Sequence, residues 1–424
     1  MRADIKELIN TILSGNIPEG YRKTEFGILP MDWEYRKFED LFIESSVFTS
    51  DTKNYPLYSL TIENGVTPKT ERYEREFLIT KNENNYKIVC ENEFVYNPMN
   101  LRFGSLAYHS GKQKISVSGY YNVFSIAADY TPAYIKAFLL SERMMHHYDV
   151  VAIGSLKEKR RVHFSRFLQF SVPMPAVEEA NKIGEFLFTW DRAIELKEKL
   201  LEQKKLQKKG LMERLLTGKV RLPGFKDEWR KIKLRDVVER VTRRNDAINT
   251  NVLTISAQRG LISQTDYFNR SVASETLDNY FLLKEGEFAY NKSYSNGYPM
   301  GAIKRLNGYS EGVVTTLYIC FKLRDDTSNS DFFEQYFEAG LLNKALMKIT
   351  QEGARAHGLL NIAVSDFFEM SICIPPKLEQ EAIADLLVCS DSVIQKNEQE
   401  IYQLKAQKKG LMQLLLTGKV RVPC

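Results

Sequence analysis

Hydrophobic residues recur every seven positions at two places in the chain. Leu187, Ile194, Leu201 and Leu215 form one series, Leu387, Ile394, Ile401 and Leu415 the other, and each skips the same step, at Lys208 or Lys408. A step of seven keeps an apolar stripe on one face of an α-helix, the pattern two helices need to pack along their length. Ile183, Trp190 and Leu211, with Ile383, Leu404 and Leu411, add a second, less regular stripe. Pro175 and Pro375 stand before the segments, and Gly-Lys-Val-Arg-x-Pro closes both. Gly210 and Gly410 weaken each helix locally by about 1 kcal/mol. A helix of roughly 40 residues is about 60 Å long, too long for the interior of an ordinary domain, so it needs a partner along its length. The other copy is the simplest partner; two separate amphipathic surface helices are the alternative.

The two segments are near-identical at an offset of 200. From Lys205 to Pro223 and from Lys405 to Pro423 they differ only at Leu206/Ala406, Glu213/Gln413, Arg214/Leu414 and Leu222/Val422. The regions before them also match, more faintly. Leu57-Tyr-Ser-Leu-Thr-Ile-Glu-Asn-Gly65 aligns with Val252-Leu-Thr-Ile-Ser-Ala-Gln-Arg-Gly260, Glu93-Phe-Val-Tyr-Asn97 with Glu287-Phe-Ala-Tyr-Asn291, and Trp33 with Trp229. A repeat fixes boundaries before local structure is considered. It divides the chain into an N-terminal helical fragment (1–27), a first module (28–175), a central helix (176–224), a second module (225–375) and a C-terminal helix (376–424). β-branched and aromatic runs such as Phe281-Leu-Leu, Val313 to Phe321 and Phe170 to Pro173 predict short strands, and Pro132 to Val150 and Ser330 to Thr350 predict one helix per module. Each module is therefore expected to be α/β or α+β. Leu8 to Ile17 resembles the helix end Leu211 to Val220. With antiparallel helices that likeness gives the chain a pseudo-two-fold axis.

Composition narrows the function. The chain has 43% hydrophobic and 27% charged residues, a net charge of +5 and no apolar run near the roughly 18 residues a bilayer span requires. No secretory signal opens it, so a cytoplasmic protein without membrane contact is expected. Cys90, Cys320, Cys373, Cys389 and Cys424 include no CxxC pair, and the histidines, among them adjacent His146 and His147, show no metal-ligand spacing. No metal or cofactor is expected. Asn97-Pro-Met-Asn lacks the second proline and the aromatic of an amino-methyltransferase motif, Gly218-Lys219-Val lacks the features of a phosphate-binding loop, and no Ser-His-Asp set stands out.

Two different modules alternating with two near-identical helices, and above all the paired Gln-Lys-Lys-Gly-Leu-Met and Leu-Leu-Thr-Gly-Lys-Val-Arg segments at 207–221 and 407–421, resemble the specificity subunits of type I restriction-modification systems over essentially the whole chain. The resemblance implies a non-catalytic subunit. Each module, a target recognition domain, would read one half of a bipartite site in double-stranded DNA. The helices would set the spacing and bind two modification methyltransferase subunits, through which the restriction (motor-nuclease) subunits join. A rod of about 60 Å spans somewhat under two turns of B-DNA, compatible with separated half-sites. Because the modules differ in their loops, the target should be asymmetric.

DNA reading needs cations for phosphates and side chains that address base edges. Lys157, Lys159, Arg160 and Arg161 crowd one loop of the first module, and Arg355 and His357 lie in the matching loop of the second. A solvated charged loop is the competing reading of that run. A second pair of loops follows the repeated Tyr-Asn and carries Asn100 and Arg102, or Lys292, Tyr294 and Asn296. Asn suits adenine and Arg suits guanine, whereas Asn97 and Asn291 fit a turn-ordering role equally well. Two other functions are compatible with the sequence. One is a recognition half of a DNA-modifying enzyme whose catalytic parts are lost, and the other a coiled-coil protein-interaction scaffold without DNA specificity.

Overall fold

Both heptad segments are unbroken helices, Val177–Leu215 and Lys377–Leu415, each 39 residues and so about 58 Å long. The computed structural model describes residues 3–69, 85–154, 160–246, 249–265, 277–350 and 360–422. Prolines 175 and 376 bound the helix starts. Gly218 (φ +68°) and Gly418 (φ +66°) turn the chain left-handed just past the ends, a conformation that costs a residue with a Cβ about 1–2 kcal/mol. Gly210 and Gly410 lie inside the helices without breaking them.

The chain forms two units, Met1–Lys197 with Glu400–Cys424, and Glu198–Gln399. Each unit therefore holds part of both long helices, and in each they run antiparallel. In the first, Lys197 pairs with Glu400 and Lys408 with Asp191, both at 2.5 Å. In the second, Lys208 pairs with Asp391 at 2.6 Å and Lys205 with Glu398 at 2.8 Å. The two lysines that interrupt the heptads thus each reach an aspartate of the facing helix. Such a polar contact in an apolar seam favours one register and direction over slipped alternatives. Leu187, Ile194, Leu215, Leu387, Ile401 and Leu415 are buried, and Leu201 and Ile394 half-buried.

The two modules have the same topology. The first builds a four-stranded sheet in the order Leu106–His109, Glu93–Tyr96, Asn122–Ile126, Phe42–Ser45; the second repeats it as Ala302–Arg305, Phe288–Asn291, Ile319–Leu323, Val238–Arg240. Phe94 faces Phe124 across one sheet, ring centroids 5.3 Å apart, as Phe288 faces Phe321 across the other at 5.4 Å. All four are fully buried, and burying a phenylalanine is worth about 1.5–3 kcal/mol. Hairpins Tyr58–Thr61/Gly65–Pro68 and Leu253–Ser256/Gly260–Ser263 flank the sheets. A strand pair closes each module, Glu34–Lys37 with Ser171–Met174 and Arg230–Lys233 with Ser371–Ile374.

Where one helix per module was expected, each module has two, Pro132–Leu139 and Glu142–Val151, then Ser330–Glu338 and Asn343–Ile349. Ser141 interrupts the first pair because its hydroxyl caps a new helix, accepting from the Met144 amide. Gly340 (φ +67°) ends the first helix of the second pair. The run from Val313 to Phe321 likewise splits into Glu311–Val314 and Ile319–Leu323. The long helices also seat these short ones: Asn181 accepts from the Thr131 amide at 2.7 Å, and Gln380 from the Asn329 amide at 3.0 Å. The N-terminal fragment is a helix, Ala3–Leu13, followed by Gly15 at φ +84°, the same stop as at Gly218.

Candidate nucleic-acid interface

Each sheet holds up a loop that starts at the repeated Tyr-Asn. In the first module Asn97 orders it, its side-chain oxygen accepting from the Met99 amide at 3.0 Å; Asn291 does the same for Ser293 at 3.0 Å. Both asparagines therefore fill the turn-ordering role. Asn100 is exposed, and so is Phe103 at the end of the short 3-10 turn Leu101–Phe103. Arg102 is not: only 7% of its side chain is exposed, its guanidinium pairs with Asp149 at 3.0 Å, and it lies 4.4 Å over the Phe103 ring.

In the second module Tyr294 and Asn296 are exposed at the tip of the loop and Lys292 is half-buried. The loop is pinned at Tyr298, whose amide donates to the Ser295 carbonyl at 2.8 Å and whose hydroxyl donates to Glu338. Lys304 donates to that hydroxyl at 3.1 Å and to Glu338 at 2.5 Å. Burial, and then the Glu338 carboxylate, holds the Tyr298 phenol above its ordinary pKa, so it remains a donor. Gly301 completes the loop at φ +78°, where a Cβ would sit 2.2 Å from the Asn291 carbonyl oxygen.

Of the basic run, the structure brings Arg160 and Arg161 beside the first of these loops. Arg160 donates to the Ala152 carbonyl at 3.1 Å and approaches Asp149 at 3.6 Å, and Arg161 lies 5.9 Å over the Tyr120 ring. The Val162 amide donates to the Pro98 carbonyl at 2.9 Å, and the Leu360 amide to the Lys292 carbonyl at 3.0 Å. Pro98 and Lys292 each follow the repeated asparagine, so one backbone bond ties the two loops together in both modules. Lys157, Lys159, Arg355 and His357 lie outside the described residues. Among the described residues no group of three His, Cys, Asp or Glu is placed to hold a metal, and no helix is long and apolar enough to cross a membrane.

A sequence profile of the type I restriction modification DNA specificity domain matches residues 30–205. The specificity subunit MjaX, assigned to a type I restriction enzyme of Methanocaldococcus jannaschii, is 23% identical over 438 aligned positions, covering 95% of this chain and 97% of that protein. Over residues 30–205 the chain is thus similar to the type I restriction modification DNA specificity domain, and over nearly its whole length to a type I restriction enzyme specificity subunit. Two solved structures share its fold. A chain from a study of assembly and conformational transition in a type I R-M system superposes with a TM-score of 0.53 at 13% identity, covering 92% of this chain and 99% of that one. The type I restriction-modification S subunit of M. genitalium gives 0.53 at 10% identity, covering 92% and 96%.

Sequence reasoning singled out Arg102 and Arg160 and missed Asp149, the acid that holds them, as it missed Glu338, Tyr298 and Lys304 in the second module. Asp149 and Glu338 are single acidic residues on short helices, with no motif around them. Gln258, at the tip of the second hairpin, was also missed; its amide donates to the Asn296 carbonyl at 3.4 Å and is exposed beside that loop.

Proposed function

We propose that this chain is a specificity subunit that reads a bipartite, asymmetric site in double-stranded DNA, the modules 28–175 and 225–375 each addressing one half. The observation that carries this reading is that two modules of one topology, tied by the same inter-loop backbone bond, present different side chains: Asn100, Phe103 and Arg161 on one, Tyr294, Asn296 and Gln258 on the other. Amides and a guanidinium are the groups that read base edges and phosphates. Unlike loops on like frameworks give unlike half-sites.

The subunit itself is non-catalytic in this proposal and acts in the cytoplasm. Two methyltransferase subunits dock on its helices, and restriction subunits join through them. Exposed apolar side chains on the helices support docking: Phe186, Phe188 and Leu196 in the first unit, Leu386, Val388 and Val393 in the second. Large apolar groups left on a helix face mark a protein contact.

The test is to sequence the methylome of a host carrying this chain with its methyltransferase, and of the same host without it. A bipartite adenine-methylated motif should appear only with the chain, and exchanging residues 225–375 for those of a different subunit should change one half alone. Methylation indifferent to sequence would leave the chain a scaffold.

A further inference from the structure

We infer that Asp149 is a positioning residue for the first half-site: one carboxylate that locks the two DNA-facing loops of the first module into a single reading surface. This inference rests on the DNA-reading function proposed above. Asp149 lies near the end of the helix Glu142–Val151, between the two loops. Its Oδ1 takes Arg102 of the Tyr-Asn loop at 3.0 Å and faces Arg160 of the basic loop at 3.6 Å. Its own carbonyl accepts a further bond from Arg160. Arg160 also holds the Ala152 carbonyl, so the arginine is anchored to the helix end on three sides. The backbone bond from Val162 to Pro98 and the bond from the Tyr96 hydroxyl to the Val162 carbonyl at 3.2 Å join the same loops from beneath.

Two of the basic residues that composition marks as DNA contacts are thereby committed within the protein. Arg102, 7% exposed, has its guanidinium on Asp149 and is unavailable to a guanine edge; its service is to fix Asn100 and Phe103 on either side of it. Base discrimination depends on side chains held to a fraction of an ångström, so a hub of this kind acts on specificity more than on affinity. The second module fixes its Tyr-Asn loop with other chemistry, Glu338 holding Tyr298 of the loop and Lys304 of the neighbouring strand, so the Asp149 effect belongs to one half of the target.

The experiment uses the full complex of this chain with its methyltransferase and compares methylation of the cognate motif with that of motifs carrying one mismatch in either half. Asp149→Asn keeps shape and removes charge at a side chain 55% exposed. It should lower cognate-over-mismatch discrimination in the first half by about threefold to tenfold and leave the second half unchanged. Asp149→Glu should recover discrimination, and Arg160→Gln should move it in the same direction as Asp149→Asn by less. Unchanged first-half discrimination in Asp149→Asn, or a loss spread equally over both halves as general destabilisation would give, overturns the inference while the wild-type complex still reads its bipartite motif. A wild-type complex with no sequence preference overturns the DNA-reading function and the hub with it.

Discussion

The two units close the same joint in different ways. In the second, the end of the central helix runs on into the module it supports: Gly218 lies against the Trp229 ring, and Arg221 reaches Glu379 at 2.5 Å, where the Trp229 indole donates as well at 3.2 Å. In the first, the equivalent parts come from opposite ends of the chain. Gly418 lies against Trp33 and Pro30, the Tyr21 hydroxyl donates to the Gly418 carbonyl at 2.8 Å, and Arg421 reaches Glu179 at 2.6 Å and Asp32 at 2.7 Å. One joint gathers two donors on one buried carboxylate, the other two carboxylates on one arginine. A contact set can thus be kept while chain connectivity is cut, provided side chains supply what the peptide bond did.

The first unit should accordingly depend more on its arginine. Arg421→Ala removes the cation that Glu179, 2% exposed, and Asp32 share, and the segment carrying Arg421 is not continuous in sequence with the module it holds. Arg221→Ala leaves Glu379 its indole donor and a continuous chain. Stranding a buried carboxylate is among the costliest single changes. We expect Arg421→Ala to lower the melting temperature by several degrees and more than Arg221→Ala, measured by thermal unfolding of the two variants side by side; equal shifts would erase the contrast.

The glycines sharpen it next. Both adopt a positive φ, so alanine costs about 1–2 kcal/mol at either from backbone strain. A Cβ on Gly218 would meet Trp229 at 3.4 Å, an ordinary contact, whereas one on Gly418 would come within 2.5 Å of Pro30 and 3.2 Å of Trp33. Gly418→Ala should therefore cost about 2–4 kcal/mol and Gly218→Ala about 1 kcal/mol, read by urea unfolding.

How much of this was legible beforehand follows from what repeats. The heptads, the Gly-Lys-Val-Arg ends and the Tyr-Asn strand ends recur at fixed offsets, and those are the long helices, their stops and the central strands of both sheets. The skipped heptad step was visible at Lys208 and Lys408, but its meaning was not, because Asp391 and Asp191 sit on a facing helix whose register no single segment encodes. Asp149 and Glu338 were invisible for a related reason: an acid that pairs with a base far along the chain leaves no local pattern. The division of the helical stretches at Ser141 and Gly340 was readable from cap chemistry that the broader periodicity obscured.

The seam lysines test the comparison at a smaller scale. Asp391 holds Lys208 and also accepts from Gln335 of the module helix at 2.8 Å, so it ties helix to helix and helices to module. Asp191 holds Lys408 and its side chain is more exposed, 47% against 35%. Asp391→Ala should cost about 1–2 kcal/mol and Asp191→Ala under about 1 kcal/mol. Replacing Lys408 and Asp191 together by leucine should leave stability nearly unchanged or raise it, since a well-packed apolar pair matches a seam ion pair in energy and lacks only its register preference, whereas Lys408→Leu alone strands the aspartate and should cost stability.

The smallest expected difference is in pH response. His147 of the first unit lies 4.6 Å from the Phe170 ring and 5.5 Å from Phe26, and burial there lowers its pKa below the ordinary value near 6.5, with Arg143 and His146 acting in the same direction and Glu25 against. A depressed histidine pKa means that the unfolded chain binds the proton first as pH falls. Stability is then complete above about pH 6.5 and declines below it, until the folded pKa is passed. With the ring half-exposed, solvent screens the effect to a change in melting temperature on the order of one degree between pH 7.5 and pH 5.5. His147→Phe keeps the aromatic contacts and removes the titration, so the part of the pH dependence belonging to this site should vanish in that variant; a pH response identical to wild type would place its origin in other groups.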